Sequence, residues 1–334
     1  MRAFFQTWRE AWGEVPGAFR AALALALGFV GFVAWDQSHW WRVKEDYSFG
    51  WLVPALVAFV VVDRWALIRA ALATCAATGS ERVQGWRANV LRVVVGLVAV
   101  TGAGFFLLGL IYRAGVGSSY PGTLAITLGM IGIVFPLLWW NAPMGESPLA
   151  CDFARDARLR LVGLFVFPVM VWWVSAPMVS AVEQRLQPFL LHQVVTVVAF
   201  VFDLLGLPVE QQGKVLVLPL GSVGVEDACS GIRSLTACVF AGSFLAAVFV
   251  RRLWPKVFFV VAALALAFVT NLARGLFLTA WAYAYGASAI EGAVHDVAGY
   301  AVLGLTVAGL LALLQVMNWW SREDNPAAGA AETR

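Results

Sequence analysis

Residues 257–283 read VFFVVAALALAFVTNLARGLFLTAWAY, an apolar run interrupted by one asparagine, Asn271, and one arginine, Arg274. A helix needs about twenty apolar residues to cross a ~30 Å hydrocarbon layer, and this run lacks the polar face of a helix packed on a soluble core. The pattern recurs. Spans are expected near 19–35, 49–67, 90–112, 120–140, 159–182, 230–250, 257–283 and 296–317. Composition agrees, since 61% of the 334 residues are apolar and 13% are charged, against roughly 25% charged in an ordinary soluble domain. The expected fold is all-α, a polytopic transmembrane bundle of about eight spanning helices, with residues 1–320 as one transmembrane domain and 321–334 as a disordered tail.

Charge placement orients the bundle. The loop after the second span holds Arg64, Arg69, Arg82, Arg87 and Arg92; the loop after the fourth holds Arg155, Arg158 and Arg160; the loop after the sixth holds Arg251, Arg252 and Lys256. By the positive-inside rule these loops and both termini are cytoplasmic. Arg2, Arg9 and Arg20 precede a first span with no small-residue cleavage site, so that span reads as an anchor and not a signal peptide. Trp40, Trp41, Trp139, Trp140, Trp319 and Trp320 fit an interfacial aromatic belt. The net charge of +3 is scattered, with no basic face for nucleic acid. Membrane lipid is the expected surround.

Residues 189–207 (FLLHQVVTVVAFVFDLLGL) are apolar but carry His192, Gln193 and Asp203. A crossing there would move Arg251 and Arg252 outside, so an interfacial amphipathic helix on the outer face is expected. The following KVLVLPLGSVGVE, with β-branched residues between Gly and Pro breaks, predicts a short strand or hairpin leading into the sixth span.

The chemistry begins at Cys229, in VEDACSGIRSLTACVF, where a loop turns into an apolar helix. A helix N-terminus or a nearby cation makes a thiol a nucleophile. Arg233 lies one turn on and Ser230 beside it, whereas Glu226 and Asp227 disfavour the thiolate, so activation comes from elsewhere. Helix rise places the outer end of the sixth span near Cys229 and returns the seventh to the outer boundary near Asn271 and Arg274, while His295 opens the eighth. Three reactive side chains distant in sequence thus share one depth. They fit acyl transfer, with the Cys229 thiolate attacking a carbonyl. An imidazole titrates near neutrality, which suits His295 to general base and acid. Arg274 stays protonated and suits the thiolate or the developing oxyanion.

These residues also carry a resemblance. Ala-Cys-Ser-Gly-Ile-Arg at 228–233, Asn271-x-x-Arg274, His295 followed by Gly299, and the stretch Tyr47-Ser48-Phe49-Gly50-Trp51-Leu52-Val53-Pro54 resemble, in order, the motifs of the exosortase/archaeosortase family of membrane cysteine transpeptidases. Phe49 stands where that family often has His, and Asp227 where Glu often precedes the Ala-Cys. The resemblance implies Cys229 as nucleophile, Arg274 as the essential basic residue and His295 as the third site residue of a catalytic domain over 1–320. It implies no cofactor. It further implies a bacterial inner-membrane enzyme with a periplasmic site and exported protein partners, whose C-termini carry a Pro-Glu-Pro-like motif, a transmembrane helix and a basic cluster. Such enzymes are often tied to exopolysaccharide genes.

Plainer readings stand beside these. Cys238 reads as a small hydrophobe in the sixth span, and Cys75 and Cys151 as incidental reduced thiols. Arg233 serves either function or local structure, Asn271 orients Arg274, and His295 with Asp296 could cap the eighth span. Tyr47 and Ser48 are expected as substrate contacts. Three dispersed His (His39, His192, His295) make a metal site unexpected. The alternative function is a transporter or a scaffold for exopolysaccharide export, which would show repeated halves and polar groups at mid-depth.

Overall fold

In hydrocarbon every backbone N–H and C=O must find its partner inside the chain, and an α-helix does so locally. A computed structural model describes residues 12–77, 86–144, 157–178, 180–224, 232–250 and 253–323 of this chain. Among them, seven helices are long and apolar enough to cross a membrane, or eight if one bent pair is a single span. The chain divides into two compact units, residues 1–179 and 180–334.

The first unit holds α1 (Gly17–Val43), a 3-10 segment (Glu45–Leu52) running into α2 (Val53–Asp63), α3 (Trp65–Ala77), α4 (Trp86–Val116), α5 (Tyr120–Trp140), α6 (Ala157–Gly163) and α7 (Val166–Ser175). The last two form the bent pair, at 40°. Helices α4 and α5 meet backbone to backbone. A Cβ on Gly132 would lie 2.6 Å from the Gly102 Cα, and one on Gly109 would lie 2.7 Å from the Ile126 nitrogen. Small residues replace a hydrophobic drive here, because lipid tails are as apolar as the helices themselves.

Polar side chains bind this unit near one end of α1. Gln37, fully buried, donates to Thr127 Oγ1 and to the Trp172 carbonyl, both at 2.9 Å, and accepts from Ser175 Oγ at 2.7 Å. Trp40 donates to Thr123 Oγ1 at 2.9 Å. Asp36, also buried, forms an ion pair with Arg113 of α4, whose guanidinium covers the Trp35 ring at 4.3 Å.

The second unit contains α8 (Ser180–Leu204), the strands β1 (Glu210–Gln212), β2 (Val215–Leu218) and β3 (Gly221–Gly224), then α9 (Ile232–Phe249), α10 (Leu253–Tyr285) and α11 (Ala293–Glu323). The expected hairpin is a three-stranded antiparallel meander, β1-β2-β3. Helix α8 takes in the stretch expected as an interfacial helix. Its stretch Gln184–Leu204 has the length and apolar content of a span, because His192 and Asp203, both exposed, are outweighed by the apolar residues between them. The described apolar stretch of α9, Leu235–Phe249, is shorter than a span.

Two cores organise this unit. Leu191, Val194, Val195, Val198 and Phe202 of α8 pack with Leu216, Leu218 and Val223 of the sheet and with Leu278, Ala282 and Ala298. At the other end, Ala246 of α9 and Val250 just past its end pack with Phe259 and Ala263 of α10 and Leu310 and Leu314 of α11. Between these cores Thr270 and Thr306 share a hydrogen bond of 3.1 Å, and the Cys238 thiol bonds Thr306 as well. Cys238 therefore does more than fill space.

The glycine seam gives a stability test. Gly132→Leu forces α4 and α5 apart and is expected to cost about 1–3 kcal/mol or more, read as a lowered thermal midpoint in detergent. Gly104→Leu, where a side chain meets nothing within 4 Å, is expected to stay within about 0.5 kcal/mol of wild type.

Candidate functional site

Helix α10 carries Asn271 and Arg274 three residues apart, so both project from one face. The helix does not end there. It runs eleven residues further to Tyr285, ~16 Å at 1.5 Å per residue, so Arg274 sits well inside α10. The connection then reverses. Gly286 and Gly292 adopt φ of +93° and +65°, a region that costs glycine little, and the 3-10 segment between them (Ala287–Ile290) packs back along α10. This fold-back returns the start of α11 to the level of Arg274.

The result is direct contact. Arg274 Nη2 lies 2.9 Å from His295 Nε2. A guanidinium has five donors and no acceptor, so the imidazole nitrogen accepts and the ring proton sits on Nδ1. His295 occupies the first turn of α11, followed by Asp296, whose carboxylate suits the positive end of the helix dipole. A Cβ on Gly299, one turn on, would lie 3.7 Å from Arg274 Nη2; a larger side chain would intrude on the guanidinium. Arg274 Nε is buried and has no hydrogen-bond partner among the described residues.

Asn271 is 4% exposed, one turn from Arg274. Cys229 and Ser230 lie outside the described residues. Arg233 falls in the first turn of α9. In sequence, Cys229 stands five residues after the last residue of β3 and three before the first of α9. The sheet is anchored beside the pair, because Val223 of β3 shares a core with Leu278, one turn beyond Arg274, and Ala298, three residues beyond His295.

Tyr47 and Ser48 belong to the first unit. Tyr47 is 1% exposed, and its hydroxyl accepts from the Met178 amide at 2.9 Å. Ser48 is exposed. Gly50 lies against the Trp41 indole, which leaves no room for a Cβ, and Trp41 stacks on Trp172 and donates to the Ser175 carbonyl at 3.3 Å. Residues 47–54 thus clamp α1, α2 and α7 together, with Pro54 in the first turn of α2. Sequence reasoning missed this clamp and the Cys238–Thr306–Thr270 contact. The Tyr-x-x-Gly spacing beside a Trp-rich helix end was the signal available for the former.

Among the described residues no group of three His, Cys, Asp or Glu is placed to hold a metal ion. No curated protein matches the chain, and no solved structure does. Residues 40–312 match a protein family described as Transmembrane exosortase (Exosortase_EpsH). That stretch takes in the Tyr47–Pro54 clamp, Cys229, Arg274 and His295 and covers well over half of the 334 residues, so the chain belongs to the transmembrane exosortase family.

Proposed function

We propose that this exosortase cleaves the C-terminal sorting signal of exported proteins by transferring the acyl group to Cys229, with Arg274 and His295 serving that cysteine. The Arg274–His295 hydrogen bond supports the reading most directly, joining two residues 21 positions apart on separate helices. The substrates are PEP-CTERM proteins, carrying a Pro-Glu-Pro-like motif, a transmembrane helix and a basic cluster. The site faces the periplasm of a bacterial inner membrane.

The steps follow from donor and acceptor counts. His295 Nε2 takes the proton of the Cys229 thiol, giving a thiolate and an imidazolium. An imidazolium has no acceptor, so Arg274 loses its bond to Nε2 and turns to the anion. The sulfur attacks the scissile carbonyl, and the oxygen takes up the negative charge, which guanidinium N–H groups stabilise. The buried Nε, without an acceptor among the described residues, is a donor available for this. The imidazolium returns its proton to the leaving amine, and a thioester remains. Water or an acceptor amine then resolves it, with His295 again taking a proton.

Two tests address this reading. Cys229→Ala, expressed in cells without another such enzyme, should stop release of the substrate's C-terminal helix, seen as a full-length substrate by mass spectrometry. Normal processing would end the proposal. In purified enzyme, Arg274→Lys should lower kcat by about 10²–10³-fold, losing the planar donor fork, and His295→Gln by about 10²–10⁴-fold. Because the two act as a unit, the double variant should be no more than about tenfold slower than the worse single one. Multiplied losses would mean the pair does not act together.

A further inference from the structure

Among the described residues the sheet beside Arg274 and His295 has an open edge, and the register of its strands fixes which groups stand on it. β1 and β2 are joined by the two residues Gly213 and Lys214, and β2 and β3 by Pro219 and Leu220. In a two-residue hairpin the closing pair exchanges both backbone hydrogen bonds, and hydrogen-bonded pairs then alternate along the strands. Gln212↔Val215 and Glu210↔Val217 are therefore bonded pairs, so Val215 and Val217 spend their backbone groups on β1. Leu218↔Gly221 and Leu216↔Val223 are bonded on the other side. What remains on β3 is Ser222 and Gly224, whose N–H and C=O groups point away from β2. No described residue forms a backbone hydrogen bond with them.

This edge is placed for use. The side chain of Val223 and the Cα of Gly221 face the core, with a Cβ on Gly221 reaching Ala287 at 3.4 Å. Ser222 is exposed and Gly224 has no side chain, so the outward face carries little bulk. The strand leads within five residues to Cys229.

We infer that β3 is the substrate-docking strand: an extended peptide segment of the sorting signal adds to its open edge, pairing with the backbone of Ser222 and Gly224, which presents the scissile bond to Cys229. This inference rests on the proposed peptidase reading and adds the docking mode. It also accounts for proline in the signal. In Pro-Glu-Pro only the glutamate has an N–H, and groups facing a neighbouring strand belong to alternate residues. The glutamate therefore pairs with β3 and both prolines point outward, where an edge strand tolerates them.

Proline on the enzyme supplies the test. Ser222→Pro removes an outward N–H while sparing the bonds to β2. Gln211→Pro does the same on the opposite edge, since Gln211 lies between the bonded pairs of β1. Ser222→Ala keeps the backbone and removes the hydroxyl. The full-length enzyme in lipid nanodiscs is given a synthetic peptide with a Pro-Glu-Pro motif, a transmembrane helix and a basic cluster. Ser222→Pro should raise KM about tenfold or more, roughly the weight of one backbone hydrogen bond with its steric surround, and leave kcat within about twofold; Gln211→Pro and Ser222→Ala should match wild type. A wild-type KM in Ser222→Pro, or equal losses in Ser222→Pro and Ser222→Ala, overturns docking on the β3 backbone. So does a Ser222→Pro enzyme that only loses a dimer, which would assign the edge to a second copy.

A second measurement covers a Ser222→Pro chain that fails to fold and separates this inference from the peptidase reading. In a Cys229→Ala background, Leu220, 59% exposed in the turn before β3, is replaced by the photocrosslinker p-benzoylphenylalanine. Crosslinking to the Pro-Glu-Pro region of the same peptide is expected, and crosslinks confined to its transmembrane helix, or none, overturn the docking strand. Crosslinking there with no Cys229-dependent cleavage by wild type would instead overturn the peptidase reading.

Discussion

The hydrocarbon core of a bilayer offers no hydrogen bonds, and that lack disciplines every polar atom in this chain. Helices satisfy their own backbones, so the polar side chains left over must find each other. In the first unit Gln37 gathers Thr127, Ser175 and the Trp172 carbonyl; in the second Thr270 finds Thr306. The same rule places the sheet. An open three-stranded meander has unpaired edges, which do not occur exposed to lipid, so the β1-β2-β3 end of the second unit meets water or the headgroup layer. Arg274 and His295 lie one turn or less from residues packed on that sheet.

Two arginines differ in what neutralises them. Arg113 is neutralised by Asp36 and rests on Trp35. An ion pair of this kind cancels its own charge and fastens α1 to α4. Arg274 has a neutral imidazole as its partner, and no described carboxylate forms an ion pair with it. Its charge is therefore uncompensated within the described residues. Holding such a charge near hydrocarbon is costly, and under the proposed reading the cost is offset when a thiolate or a tetrahedral oxyanion forms beside it.

Spans could be read from the sequence because each is a local property, an unbroken apolar length. Arg274 and His295 could be assigned to one depth by counting helix rise, yet their direct contact could not, since it depends on the connection folding back at Gly286 and Gly292. The packing of Leu191, Val195 and Phe202 of α8 on the sheet and α10 is a tertiary fact with no local signature. Tyr47 is expected from sequence, with Ser48, as a substrate contact in an outer loop. Its hydroxyl is taken by Met178, 131 residues away, a partner that no window of sequence brings into view.

The donor-only character of arginine gives the pair its logic. His295 Nε2 cannot accept from Arg274 and hold a proton from the thiol at once, so the resting contact and the reacting one exclude each other. Under the proposed reading Arg274 both restrains the base at rest and, once displaced, stabilises the charge that the base creates; a lysine in its place keeps the charge but loses the planar fork that bridges an imidazole and an oxyanion in turn.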